Sequence, residues 1–68
     1  MSAYFYAPRR DYRVRDGTIE SRAPLPLHDP EYWSAYTREG IYLVWVADFY
    51  KEEDANAFCD MKNKEQAP

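Results

Sequence analysis

The sequence predicts an α+β domain: a small antiparallel sheet of three to four strands, with a C-terminal helix packed on one face. Three observations predict it. Residues 41–47 form an unbroken apolar run rich in β-branched and aromatic side chains. An Asp16-Gly17 pair separates two segments in which apolar and polar residues alternate. Residues 52–63 open on acids, carry Lys62 near their end with Lys64 just beyond, and place apolar residues at helical spacing.

Residues 1–11 begin the chain with rings and cations: Tyr4, Phe5, Tyr6, Arg9 and Arg10. The opening Met1–Tyr6 stretch has no basic leader and no extended apolar run, so no signal peptide is expected. Residues 12–22 read as a β-hairpin. Tyr12-Arg13-Val14-Arg15 and Thr18-Ile19-Glu20-Ser21 alternate as half-wet strands do, and Asp-Gly is the dipeptide of a two-residue type I′ turn. Residues 23–30 hold three prolines, Pro24, Pro26 and Pro30. Proline gives no ladder hydrogen bond and favours an extended connector, which Leu25 and Leu27 would dock on the core.

Residues 30–40 carry two sets of signals. Asp29, Pro30, Glu31 and Gly40 would frame a short helix. Tyr32, Trp33, Tyr36 and Thr37 are β-formers, and the balance favours a strand over 32–37. Residues 41–47 are apolar on both faces, which predicts a central strand. Left exposed, such a run would aggregate, so something must cover it.

The helix over 52–63 places Glu52, Glu53 and Asp54 in its first turn and Lys62 near its last, both favourable to the helix dipole. Ala55, Phe58, Cys59 and Lys62 follow the i, i+3, i+4, i+7 rule. Ala55, Phe58 and Cys59 should pack on alternate residues of the apolar strand, Leu43 and Trp45. Lys51 stands where Ser or Asp would cap, and Asn63 is placed to end the helix in a left-handed conformation. Residues 64–68 form a tail, so that residues 31–63 hold the strand or strands and the helix.

At 68 residues the chain is one domain near the lower limit for folding alone. Small domains offset their ordering entropy with disulfides, metals, association or dense cores. Cys59 is the only cysteine, which excludes an intrachain disulfide and fits a reducing, cytoplasmic setting. Twelve aromatic residues, seven of them Tyr, point to an aromatic core, with self-association as a homodimer supplying more. No run approaches the ~20 apolar residues of a membrane span.

Catalytic chemistry finds no equipment. His28, Asp29 and Glu31 are ligand types, but one His and one distant Cys make a poor metal set, so no metal or other cofactor is expected. Cys59 on an apolar helix stripe is a small hydrophobe rather than a nucleophile. Gly17 and Gly40 stand too far apart for a phosphate loop.

Binding is better provided for. Residues 1–22 carry a net charge of +2 and residues 23–68 a net charge of −5. Such asymmetry can steer a charged partner. The Tyr4, Tyr6, Arg9, Arg10, Arg13 and Arg15 set has the residue types that dominate interfaces, and Glu52, Glu53 and Asp54 could enter a basic groove. A non-enzymatic protein-binding module, an inhibitor or adaptor acting by occupancy, is the expected function. The alternative is a small nucleic-acid-binding protein in which the N-terminal arginines neutralise phosphates and the rings stack on bases. An overall pI near 5.0 weighs against it.

The strand that ends in Asp48-Phe49 and leads into the acidic helix through Tyr50-Lys51-Glu52-Glu53-Asp54 resembles small phage and bacterial accessory proteins. The resemblance covers roughly a third of the chain. It implies an accessory protein that grips a host protein, in some cases to block a defence system such as CRISPR.

Overall fold

A computed structural model describes residues 3–13 and 17–66. Four strands and one helix follow in order: β1 (Tyr4–Arg13), β2 (Ile19–Arg22), β3 (Tyr32–Glu39), β4 (Tyr42–Phe49) and α1 (Glu52–Glu65). The sheet order is β2-β1-β3-β4 and each neighbouring pair is antiparallel. α1 lies across one face, chiefly over β1 and β3. The chain is therefore the α+β domain that its patterning predicts.

β1 runs unbroken from the N-terminal segment into the hairpin and changes neighbour on the way. Tyr4–Arg9 pair with β3, and Arg10–Arg13 pair with β2. Among the described residues, Tyr4–Arg9 thus have a strand on one side only. Pro8 belongs there, because a strand tolerates a missing N–H at an open edge. The side chain of Asn63 takes both the N–H and the C=O of Tyr4, so these groups point away from β3. Backbone groups alternate along a strand, so those of Tyr6 and Pro8 point the same way.

The hairpin register differs from expectation. Arg13 pairs with Ile19, which leaves an odd-numbered loop between them. A two-residue turn at Asp16-Gly17 in continuous register would pair Val14 with Ile19. Gly17 has a φ of 89°, as a turn glycine should, while Val14, Arg15 and Asp16 lie outside the described residues. Between β3 and β4 the turn falls at Gly40-Ile41. Gly40 has a φ of 62° and Ile41 keeps a negative one, the pattern of a type II′ hairpin turn.

Residues 32–39 are strand, so the β-forming rings prevail over the capping signals at Asp29 and Pro30. The connector before them turns instead of docking. The His28 N–H donates to the Leu25 carbonyl at 2.9 Å, with Pro26 at the second turn position. Leu25 and Leu27 consequently face solvent, Leu27 at 96% exposure.

The apolar run 41–47 is not central. β4 is an edge strand, and the central positions belong to β1 and β3. Ala35 pairs with Ala47 while Tyr36 pairs with Trp45, so Val46 is an extra residue in a β-bulge. With this register, Tyr4, Tyr6, Ala35, Thr37, Val44 and Phe49 share the helix face. Phe58 of α1 meets Phe49 at 5.3 Å and Tyr4 at 6.3 Å between ring centroids. Leu43 and Trp45, expected beneath α1, lie on the opposite face.

The core is small. Ala35, Ala55 and Cys59 are buried, with Ser34 and Thr37 as buried polar neighbours. Small residues let the helix approach closely, and the half-buried rings of Tyr4, Phe49 and Phe58 close the sides. α1 begins after Lys51, which is extended (φ −120°, ψ 136°) and gives no side-chain cap. It continues past Asn63 to Glu65. Asn63 is thus not a left-handed terminator, and its amide is used on β1 instead.

Candidate partner-binding surface

The face of the sheet away from α1 has no covering element among the described residues. Register assembles it from alternate residues of three strands: Phe5 on β1, Tyr36 and Arg38 on β3, and Leu43 and Trp45 on β4. Phe5 stacks on Tyr36 with centroids 5.8 Å apart and planes at 29°. The Arg38 guanidinium lies 5.9 Å from the Phe5 ring centre. Trp45 stands directly opposite Tyr36 and is 58% exposed, while Leu43 is 54% exposed. Ile41, in the β3–β4 turn, is 88% exposed, and Tyr42, on the helix side of β4 with Val44, is 71% exposed.

A polar network fixes the tryptophan. The Trp45 Nε1–H donates to Asp48 Oδ1 at 2.8 Å, and the buried Ser34 Oγ donates to the same oxygen at 2.6 Å. Trp45 is therefore held as a preformed side chain, which lowers the entropy cost of using it at an interface.

Toward β2 the same face becomes polar. The Tyr32 hydroxyl donates to Asp11 Oδ1 at 2.9 Å and contacts Ser21 Oγ. Burial raises the Tyr32 phenol above its ordinary pKa; the Ser21 contact opposes this and Asp11 adds to it. Asp11, Glu31, Tyr32, Asp48, Phe49 and Tyr50 line a shallow hollow of about 550 Å³. Its acids suit a cationic side chain from a partner. Among the described residues no three His, Cys, Asp or Glu side chains are grouped to hold a metal ion.

The residues singled out from sequence fall into separate places. Tyr4 is half-buried against Phe58 and belongs to the core. Tyr6 lines a small depression with Lys51, Glu52, Glu53 and Asn56 on the helix side. The structure thus joins Tyr6 to two of the acids from the other end of the chain. Asp54 is exposed beside them on the first helical turn. Arg9 donates to Ser21 Oγ at 3.2 Å and to the Ser21 carbonyl at 2.5 Å. Arg10 donates to the Asp29 carbonyl at 2.5 Å and lies 3.6 Å from Glu31. These two arginines hold β2 and the connector against β1. Arg13 is a strand residue whose side chain lies outside the description, and Arg15 lies outside the described residues altogether.

Sequence reasoning did not select Phe5, Tyr36, Arg38, Leu43 and Trp45 as a set. Its signal was the demand that something cover residues 41–47. Period-2 alternation separates Leu43 and Trp45 from Val44, and only the strand order adds Phe5 and Tyr36. No family model matches the sequence, and no curated protein or solved structure matches it.

Proposed function

We propose that the chain is a non-enzymatic protein-binding module that acts by occupancy, laying its open sheet face on a protein partner. One observation carries this reading. The uncovered face presents a preformed Trp45 next to Leu43 and the Phe5–Tyr36 stack, with Arg38 at its margin. Trp, Tyr and Arg supply most of the binding energy where they sit in desolvated pockets. The acidic hollow beside the patch takes a lysine or arginine of the partner.

A protein is a better fit than a nucleic acid because Arg9 and Arg10 are already engaged with backbone carbonyls of the chain. An inhibitor or adaptor of a host complex, as the resemblance to phage and bacterial accessory proteins implies, would work by such occupancy. A reducing compartment such as the cytoplasm suits its single thiol.

The test is affinity capture from lysate of the encoding organism or its host, with wild type beside a Phe5→Ala/Trp45→Ala variant. A stoichiometric protein should co-purify with wild type, survive nuclease treatment and be lost with the variant. Loss of one true anchor should weaken binding about 30-fold. Capture that is indifferent to the variant, or that consists only of nucleic acid, rejects the reading.

A further inference from the structure

Among the described residues the sheet has four stretches of open edge, and three are guarded, one of them, the β3 side of Arg10–Arg13, by the charges of Arg10 and Asp11. β2 is four residues long and carries Glu20 and Arg22. The outer side of β1 is stopped by Pro8 and closed at Tyr4 by the Asn63 amide. Short length, charge, proline and covering groups are the usual devices against edge-to-edge pairing. β4 has none of these before its bulge. Tyr42-Leu43-Val44-Trp45 contains no charge and no proline, and the one acid of the strand, Asp48, is engaged by Ser34 and Trp45.

We infer that this edge takes a second copy of the chain, giving a two-fold dimer with one continuous eight-stranded sheet. The alternation seen at Tyr4 determines which backbone groups are offered. Tyr4 points away from β3, so its partner Thr37 points toward β4 and bonds Val44. The groups of Leu43 and Trp45 therefore point outward. A two-fold axis normal to the sheet at Val44 sets Leu43 opposite Trp45 of the second copy, antiparallel, each pair exchanging both N–H···O bonds. The Val46 bulge begins just beyond this paired stretch. The apolar side chains of Leu43 and Trp45 then pack across the seam.

Area favours the same occupant. A chain of 8.1 kDa should expose about 4,500 Å² when folded, whereas this one exposes 5401 Å². The difference, about 900 Å², matches the ~800 Å² that each partner buries in an ordinary stable interface. The radius of gyration, 13.6 Å against about 11 Å for a compact domain of this length, likewise marks the chain as more extended than a compact domain. The dimer keeps both open faces on one side and joins them. It goes beyond the partner-binding reading and does not depend on it.

Sedimentation equilibrium over a wide concentration series tests the dimer, together with hydrogen exchange at its two ends. The mass should rise from 8.1 kDa toward twice that value. The Leu43 and Trp45 amides should exchange at least about tenfold more slowly at the concentrated end. Leu43→Pro removes an outward N–H without touching the β3 ladder, and Leu43→Lys charges the edge; both should remain monomeric with native circular dichroism. Phe5→Ala and Arg38→Ala, on the open face away from the edge, should leave the mass unchanged even where they abolish partner capture. A constant 8.1 kDa with concentration-independent exchange at β4 overturns the dimer, and so does a dimer that survives Leu43→Pro. If either variant loses its fold, the exchange series on wild type decides alone.

Discussion

The side-chain amide of Asn63 grips the backbone of Tyr4 at both ends. Its Oδ1 accepts the Tyr4 N–H at 2.8 Å, and its Nδ2 donates to the Tyr4 carbonyl at 3.0 Å. This is the exchange a neighbouring strand residue would make, performed by a side chain from the last turns of α1. It joins residues 59 positions apart.

Asn63→Ala should therefore loosen two elements together. We expect a loss of about 1–2 kcal/mol in urea unfolding, from two net hydrogen bonds. Faster exchange should appear at the start of β1 and the end of α1 but not at β2. Asn63→Asp keeps the acceptor and loses the donor, and should fall between wild type and Ala. Equal exchange at all three places would mean that the amide does not couple them.

Phe58 is the ring that connects Phe49 to Tyr4, and it is half-buried. Full burial would make Phe→Ala cost about 3–5 kcal/mol, so about 2 kcal/mol is expected here. With no large side chain fully buried among the described residues, that loss should leave a sizeable unfolded fraction at 37 °C. Thermal circular dichroism reads it directly. Phe58→Leu should recover most of the difference, because it refills the space.

Asp48 serves a buried hydroxyl and an exposed indole at once. In Asp48→Ala the Ser34 hydroxyl loses its acceptor inside the sheet, at a cost of about 1–3 kcal/mol. The same change frees Trp45. In a Trp33→Phe background, the fluorescence anisotropy of Trp45 should drop. An unchanged anisotropy would show that the indole is held by packing and not by the carboxylate.

Cys59 titrates as a buried thiol. Desolvation raises its pKa above the ordinary value, with the Asp60 charge adding to it. The unfolded chain therefore ionises first as pH rises. Stability from this site is complete below the unfolded thiol's pKa, near 9.0, and is lost as pH climbs through the higher folded value. Cys59→Ala should remove that alkaline decline. Native protein at pH 8 should also react with a thiol reagent far more slowly than protein in urea.

Local patterning revealed more of the elements than of their arrangement. The strand at Ile41–Ala47 and the helix after Lys51 are legible because their periodicity and charge placement are local. The strand at 32–37 is legible because four β-formers outweigh a borrowed cap. What local patterning missed is the order of strands. Residues 1–11 read only as an N-terminal segment of rings and arginines, whereas they open a ten-residue strand that pairs with β3 and then with β2. Once β1 takes an inner position, β4 moves to the edge, and Leu43 and Trp45 turn from core to surface. The roles of Arg9 and Arg10 changed for the same reason. Their carbonyl acceptors on Ser21 and Asp29 come from chain folded back beside β1, which spacing along the sequence does not reveal.

The bulge at Val46 also bears on how the length of this chain could vary through time. Loss or gain of one residue within a regular strand reverses every side chain beyond it, which in β4 would bring Asp48 under the helix and turn Phe49 out. Val46 is the exception. Its removal joins Trp45 to Ala47 in unbroken alternation with Tyr36 and Ala35, and Phe49 stays on Phe58. A descendant one codon shorter at this position would keep the same two faces, while one shortened at Val44 would not.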